Sequence, residues 1–201
     1  MRMRNPKDKD EVINNCDFFY DKEIGFSNTN PIHIEIGMGK GKFIQQMALK
    51  YPNINFIGVE KYSSVASIAI KKINQNKPDN LRILIMDAIN LPDILEKKVS
   101  CIYLNFSDPW PKDRHEKRRL TSKNYLEVYD KLFKGINVII QKTDNDKLFE
   151  YSKNSLEEYG YKIEEISYDL AASEIDNITT EYEEKFSSEG IKIKYLKAIK
   201  K

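Results

Sequence analysis

Apolar residues follow two different patterns along most of this 201-residue chain: short continuous runs, and recurrence at helical spacing. Several short runs are almost continuously apolar, as buried strands are. They predict strands over 32–36, 54–59, 81–86, 99–106 and 136–141. Between them, apolar residues recur at helical spacing. The predicted helices cover 43–51, 65–73, 122–133 and 147–159, with a short helical turn over 88–95. Buried strands that alternate with helices predict an α/β fold, a doubly wound parallel sheet covered by helices.

The two ends of the chain differ from this middle part. Two late strands, over 161–168 and 191–199, alternate apolar with charged residues, as antiparallel edge strands do. The beginning of the chain is mostly polar, and we predict that residues 1–30 form an N-terminal arm. Residues 31–201 then form one domain, which is long enough for a full hydrophobic core.

The first strand ends in a glycine-rich loop that contains Glu35, Gly37, Gly39 and Gly41. Glycines at a strand end let the backbone approach a ligand closely, although a plain tight turn uses them too. The spacing is G-x-G-x-G rather than the dinucleotide fingerprint G-x-G-x-x-G, and Glu35 would repel a pyrophosphate. A carboxylate favours a cofactor with an ammonium and a sulfonium group. We therefore predict that Glu35, Gly37 and Gly39 bind S-adenosylmethionine.

Acidic residues also end the next two predicted strands. Glu60 ends the second strand, where an acid can accept hydrogen bonds from both ribose hydroxyls. Asp87, followed by Ala88, ends the third strand, within reach of an adenine amino group. Each acid alone is more often a helix cap or a solvated residue. Because the carboxyl ends of parallel strands share one edge of a sheet, the acids together extend the predicted cofactor site.

The fourth strand ends in the most informative segment, Ser107-Asp108-Pro109-Trp110-Pro111. Its prolines favour extended backbone, and five cations follow between residues 112 and 119. A basic run alone is usually a solvated face, but beside an acid and the only Trp of the chain it favours phosphate contact. Asp108 would lie beside a reactive methyl group, whereas Trp110 suits either an extruded base or the core. The segment indicates an enzyme that acts on a nucleic-acid base.

Composition adds few constraints. The formal net charge of +2 does not by itself indicate a polyanionic partner. The two cysteines, Cys16 and Cys101, lie far apart, match no metal-ligand spacing and give no reason to predict a metal site. No apolar stretch reaches the ~18 residues of a membrane span, and the first residues lack the apolar core of a signal peptide. We expect a cytoplasmic protein without a membrane partner.

Taken together, these motifs resemble the bacterial tRNA (guanine-N7)-methyltransferases. The resemblance covers nearly the whole chain from Pro31 onward, and the Asp-Pro-Trp-Pro-Lys segment is highly specific. The matching segments are 35–41, 58–60, 87–88, 106–112, 114–120 and 180–183. The resemblance implies a Rossmann-like class I methyltransferase fold, with a mostly parallel seven-stranded sheet and an antiparallel last strand. It also implies methyl transfer from S-adenosylmethionine to N7 of guanosine 46 in the variable loop of tRNA.

The resemblance also assigns roles to residues. It implies that S-adenosylmethionine binds at Glu35, Glu60, Asp87 and Asp108. It implies contacts with the substrate at these residues: Lys112, Asp144, Thr180, Glu181, Tyr182 and Glu183. It implies RNA contact along one basic segment: Arg114, His115, Glu116, Lys117, Arg118 and Arg119. The implied partner is tRNA, and the protein is expected to be a monomer or a homodimer.

Methylation at guanine N7 needs little acid–base chemistry, because the N7 lone pair carries no proton. The protein must align N7 with the S–CH3 bond and balance the positive charge that passes to the purine. Asp108 is the predicted catalytic residue for this charge. A carboxylate can also accept hydrogen bonds from N1–H and N2–H2 of guanine, and Asp108, Asp144 and Glu183 are all candidates.

Other interpretations stay open from the sequence. Asp108-Pro109-Trp110 loosely resembles the Asp/Asn-Pro-Pro-aromatic motif of amino methyltransferases, although the Trp and the basic segment argue against that reaction. The strand-end acids disfavour a non-catalytic RNA-binding module on the same fold, and the glycine spacing disfavours a nicotinamide dehydrogenase. At single positions, Asp144 fits a helix cap, and Thr180 with Glu183 fits a capping box.

Overall fold

The computed structural model describes residues 6–201. It contains one sheet of seven strands: β1 Ile32–Ile36, β2 Asn55–Glu60, β3 Leu81–Ile85, β4 Val99–Asn105, β5 Asn137–Thr143, β6 Lys162–Ser167 and β7 Lys194–Lys200. Their order across the sheet is β3-β2-β1-β4-β5-β7-β6. β1 to β5 pair parallel, and β7 pairs antiparallel with both β5 and β6. The predicted α/β class and the mostly parallel sheet with an antiparallel last strand are confirmed.

Helices follow most of the strands. They are α1 Lys9–Asn14, α2 Lys42–Lys50, α3 Ser63–Ile73, α4 Pro92–Leu95, α5 Lys123–Leu132, α6 Asp146–Glu158 and α7 Glu181–Ser188. α2 and α3 pack into one buried apolar cluster, and α5 and α6 pack into another. Sequence periodicity predicted α2, α3, α5 and α6, because each buries an apolar stripe. It did not predict α1, α7 or a short 3-10 helix over Asp113–Arg118.

The position of the last strand, β7, in the sheet differs from the prediction. β7 lies between β5 and β6, so the prediction that both late strands are edge strands is wrong for β7. Its charged residues suggested an exposed edge, but they are paired with carboxylates. Lys194 contacts Asp146 at 2.5 Å, and Lys197 contacts Glu165 at 2.9 Å. Pairing of the lysines allows an internal strand to carry the alternating pattern of an edge strand.

The strand order reverses between β1 and β4. The chain builds outward from β1 through β2 to β3 and then returns, so that β4 lies on the other side of β1. At such a point the connections that leave the two strands diverge, and a crevice opens at the carboxyl edge of the sheet. The glycine-rich loop after β1 and the Asp108 segment after β4 leave the sheet at this edge.

The predicted N-terminal arm is tied to the domain where the structure describes it, whereas residues 1–5 lie outside the described residues. Phe18 is 1% exposed and belongs to the same buried cluster as α2 and α3. The backbone N–H of Tyr20 donates to Ile83 at 2.9 Å, and the N–H of Ile83 donates to Phe18 at 3.0 Å. These bonds cover the exposed edge of β3, which would otherwise present unpaired backbone groups.

We expect Phe18→Ala to lower the free energy of unfolding by about 3–5 kcal/mol, because the change removes a large buried ring and leaves a cavity. Urea denaturation measures the effect. Ile24→Ala is the matched control, since Ile24 lies in the same arm but is 80% exposed. The control should change stability by less than about 0.5 kcal/mol. Equal midpoints for the two variants would show that the arm contributes nothing to the core.

Candidate active site

A cleft of about 870 Å³ lies at the carboxyl edge of the parallel strands. All of the residues predicted to bind the cofactor line it: Glu35, Gly37, Gly39, Glu60, Asp87, Ala88 and Asp108. Trp110, Arg118 and the first residues of α7 complete its wall. Residues that are widely separated in the sequence therefore meet at the point where the strand order reverses.

The loop between β1 and α2 depends on glycine. Gly37, Gly39 and Gly41 have φ values of +77°, +57° and +78°, which L side chains rarely adopt. Next to Gly37 and Gly39 the space is open, so a ligand can approach the backbone closely there. A side chain at position 41 is also disfavoured by lack of space, because a Cβ added to Gly41 would lie 3.2 Å from the Cβ of Ala69.

Glu35 is the most unusual group of the cleft. Its side chain is 2% exposed, and its Oε1 accepts a hydrogen bond from Asn105 at 2.8 Å. Its Oε2 is buried and has no hydrogen-bond partner among the described residues. Burial raises the pKa of Glu35 to about 7. A buried, half-satisfied carboxylate on a cleft wall fits a cationic group of a ligand, such as the ammonium of S-adenosylmethionine.

The other two strand-end acids also organise the local backbone. Glu60 accepts hydrogen bonds from the N–H groups of Gly39 at 3.2 Å and Tyr62 at 2.9 Å, and burial raises its pKa. Asp87 caps the short turn that follows β3 and contacts Lys61 at 2.6 Å. Partial burial is the largest single effect on the pKa of Asp87 and raises it, but the Lys61 contact and the backbone N–H groups of Ala88 and Ile89 together outweigh burial, so the pKa lies below its ordinary value. Both acids line the cleft, so these local contacts are compatible with the predicted role in cofactor binding.

The Asp108 segment is held in a strained conformation. Phe106 and Trp110 have positive φ values of 50° and 41°, which cost free energy in residues other than glycine. The N–H of Phe106 donates to the carbonyl of Lys142 at 2.8 Å. The guanidinium of Arg119 donates to the carbonyls of Pro109 at 3.2 Å and Trp110 at 3.1 Å. These bonds keep Asp108 exposed on the cleft wall.

Trp110 is half-buried and lies outside the buried apolar clusters of the described chain. Arg118 lies over its ring at 4.9 Å from the centroid, and His115 packs edge-on at 5.7 Å. The structure therefore favours a role at the cleft over a role in the core.

The basic segment divides into two groups. The side chains of Lys112, Arg114 and Lys117 are exposed, and none of them forms an ion pair with a residue in the described range 6–201. Arg119 is instead bonded to the Asp108 segment and lies over the ring of Tyr151 at 4.3 Å. Glu116 accepts a hydrogen bond from the Tyr151 hydroxyl at 3.1 Å. Arg119 and Glu116 anchor the segment that presents the exposed cations.

The residues predicted to contact the substrate are also divided. Thr180, Glu181 and Tyr182 line the cleft. Glu183 completes a capping box with Thr180, as its sequence pattern allowed, and its side chain is turned into the protein. The lining of the cleft does not include Lys112, Asp144 or Glu183.

Asp144 does not cap a helix, contrary to the alternative that its sequence position allowed. Asn145 caps α6 instead, by accepting a hydrogen bond from the N–H of Leu148 at 2.9 Å. The neighbouring Asn and Asp residues fit the same capping pattern, so sequence alone could not choose between them.

Two polar residues of the site were missed by the sequence analysis. Asn105 holds Glu35, and Lys142 lies at 2% exposure near the end of β5. Both stand at the ends of apolar runs, which is a detectable signal. Their partners come from distant segments, however, and those partners are not visible in a local pattern.

Comparison with known proteins agrees with this geometry. The model of a family described as putative methyltransferases matches residues 29–196. A tRNA (guanine-N(7)-)-methyltransferase of Lachnoclostridium phytofermentans is 46% identical, over 100% of this chain and 99% of the relative. The enzyme of the same name from Bacillus subtilis is 50% identical, over 82% of this chain and 78% of the relative.

Solved structures agree on the fold. An antibiotic-related methyltransferase superposes with a TM-score of 0.61 at 19% identity, over 99% of this chain and 96% of the other. An S-adenosylmethionine-dependent methyltransferase from Aquifex aeolicus gives 0.59 at 13% identity, over 96% and 99%. The family model and the sequence relatives together show that the chain belongs to the family of bacterial tRNA (guanine-N7)-methyltransferases.

Proposed function

We propose that this protein transfers a methyl group from S-adenosylmethionine to N7 of guanosine 46 in the variable loop of tRNA. The observation that carries the proposal is Asp108, an exposed carboxylate on the wall of a cleft whose other acids suit that cofactor. Trp110 and Arg118 on the same wall suit a base and its phosphate. The names of the close sequence relatives support the same reaction.

Residues of the strand ends would hold the cofactor. The unpartnered Oε2 of Glu35 is suited to an ammonium group, Glu60 to ribose hydroxyls, and Asp87 with Ala88 to the adenine. When bound, S-adenosylmethionine supplies a methyl group on a positively charged sulfur. The chain's own part is to orient these groups and to provide negative charge around them.

Asp108 would balance the positive charge that develops on the purine. It needs no proton to do so, because N7 is nucleophilic without a base. Its carboxylate is exposed in the free protein, and a base that covers it would remove water and strengthen the interaction. Glu183 is a poor candidate for recognising guanine, since its carboxylate already accepts from Lys142 and Asn177. We propose that Thr180, Glu181 and Tyr182 contact the substrate instead, with further contacts at Lys112 and Asp144.

The tRNA would reach the cleft across the exposed cations of the basic segment. We also propose that the protein acts in the cytoplasm, where tRNA is found and where free cysteines such as Cys16 and Cys101 are kept reduced. In the described part of the chain, no helix is long and apolar enough to cross a membrane.

Mass mapping tests the proposed reaction. An unmodified tRNA transcript is incubated with the protein and S-adenosylmethionine, and its nuclease fragments are analysed by mass spectrometry. A transcript with 7-deazaguanosine at the target position is the control, because it lacks the nucleophilic N7. We expect one methyl group at the variable-loop guanosine and none on the control. Methylation of an exocyclic amine, or of the control, would contradict the proposal.

Asp108→Asn should slow methyl transfer by about 10²–10³-fold, because the change keeps the shape of the side chain and removes its charge. Single-turnover rates at saturating tRNA and cofactor measure this effect. Asp113→Asn is the control, since Asp113 is an exposed acid of the adjoining 3-10 helix. A rate close to that of the parent protein in the Asp108 variant would remove Asp108 from the mechanism.

Glu35→Gln should stabilise the cofactor-free protein at alkaline pH. The pKa of Glu35 is raised from 4.5 to about 7 in the folded protein. The folded state therefore holds a proton that the unfolded state has lost, and stability falls as the pH rises between these values. We expect Glu35→Gln to gain on the order of 1–3 kcal/mol near pH 8 and almost nothing near pH 4.

Chemical denaturation across this pH range, without cofactor, checks the expectation, and calorimetry should show weaker binding of S-adenosylmethionine by the variant. Parallel pH profiles for parent and variant would mean that Glu35 has an ordinary pKa.

Removing two exposed cations, Arg114→Ala with Lys117→Ala, should weaken tRNA binding. The slope of the logarithm of the tRNA-binding constant against the logarithm of the salt concentration should also become less steep, by about 0.7–0.9 for each phosphate that the variant no longer neutralises. Binding assays at several salt concentrations measure this slope. Lys131→Ala with Lys134→Ala is the matched control, because it removes the same charge from exposed positions away from the cleft.

Arg119→Ala should behave differently from either double variant, because Arg119 anchors the Asp108 segment. We expect a lower thermal midpoint for Arg119→Ala.

For the double variant of Arg114 and Lys117, a salt slope that equals the parent value would refute phosphate contact by these two cations.

A further inference from the structure

Lys142 is a buried cation to which the predicted mechanism assigns no role. Its side chain is 2% exposed, near the carboxyl end of β5. Its Nζ donates to Glu183 Oε2 at 2.8 Å, to Asn177 Oδ1 at 3.0 Å and to the carbonyl of Ile178 at 2.8 Å. The Nζ also lies 4.8 Å from the centroid of the Phe43 ring. A charge in such surroundings is costly unless every bond is kept.

These contacts fix the beginning of α7. Glu183, the main partner of Lys142, is the N3 residue of the capping box that starts the helix at Thr180. Asn177 and Ile178 belong to the segment that leads into it. Lys142 therefore holds both the first turn of α7 and the chain that precedes it. That turn carries Thr180 and Tyr182 on the cleft wall.

The backbone of Lys142 holds the opposite wall of the cleft. Its carbonyl accepts the N–H of Phe106, the residue with positive φ that begins the Asp108 segment. The ring of Phe106 stacks on Tyr182 of α7, with centroids 6.2 Å apart and an interplanar angle of 22°. One residue thus joins the segment that carries Asp108 to the helix that carries Tyr182.

We propose that Lys142 is a positioning residue, which sets the first turn of α7 against the Asp108 segment so that the substrate base is aligned between them. The proposal rests on the proposed function, because it concerns the same substrate. It assigns Glu183 to Lys142 rather than to direct contact with the base.

Other lysines contact the same part of the chain but are more accessible to water than Lys142. Lys50 contacts Asp176 at 2.6 Å, with side-chain exposures of 43% and 68%. Lys42 pairs with Glu184, and Lys72 pairs with Glu181. Exposed pairs contribute little to holding a segment in place. Lys50→Met is therefore a control that removes a lysine contact from this segment without disturbing a buried charge.

The test is a double-mutant cycle of Lys142→Met and Glu183→Gln. Lys142→Met alone leaves a buried carboxylate unpaired and should lower the thermal midpoint sharply. The double variant has no unpaired charge and should recover most of that midpoint. At a temperature where it is fully folded, its kcat/KM for tRNA should still be at least tenfold below the parent value.

The reductions in kcat/KM caused by the two substitutions should not be multiplicative, because Lys142 and Glu183 act as a pair. The kcat/KM of the double variant should be no lower than that of the slower single variant. Multiplicative losses would mean that Glu183 contacts the substrate directly, and a double variant with parental kcat/KM would show a purely structural role. Either result overturns the proposal.

Trp110, the only Trp of the chain, supplies a measurement that is independent of activity. It lies in the Asp108 segment, whose Phe106 stacks on Tyr182 of α7. Loss of the Lys142–Glu183 contact in the double variant should move α7 and thereby shift the Trp110 emission, which should stay unchanged in Lys50→Met. An unshifted spectrum in the double variant would overturn the proposal. If the parent protein transferred no methyl group, the proposed function would fail, whereas this spectral comparison would still test the role of Lys142.

Discussion

Buried charge at the carboxyl ends of the parallel strands is the constraint on which the rest of the cleft depends. Glu35 lies near the end of β1 and Lys142 near the end of β5, and each residue is 2% exposed. Burial of either charge is unfavourable unless partners are close. The partners come from other elements, Asn105 from β4 and Glu183 from α7. Two charged residues thereby determine which segments must meet above the sheet.

The two charges are satisfied to different degrees. Lys142 has three hydrogen-bond acceptors and an aromatic ring, so its site is complete in the free protein. Glu35 keeps one oxygen without a partner in the described structure, and its pKa is raised to about 7. A structural charge is expected to be fully paired, whereas a binding group must retain unused capacity. By this criterion we assign Lys142 to the framework and propose Glu35 as a binding group.

The sequence predicted the strand ends well, because a parallel sheet converts local patterns into a shared edge. Glu35, Glu60, Asp87 and Asp108 could be placed together without any knowledge of long-range contacts. The same reasoning could not predict the position of β7 within the sheet, which depends on pairing between distant strands. It also could not choose between a capping role and a substrate role for Glu183, since the orientation of that side chain follows from Lys142, forty-one positions earlier in the chain.

The basic segment illustrates the limit of arguments from composition. Arg114 and Arg119 are the same residue type in the same run, yet Arg119 bonds to carbonyls of the Asp108 segment and Arg114 is exposed. A guanidinium has five N–H donors, which can bond either a carbonyl or a phosphate. The strained backbone at Trp110 supplies the carbonyl in this case. The strain is thus stabilised by one cation of the run, and that same bond fixes how the neighbouring cations are presented at the surface.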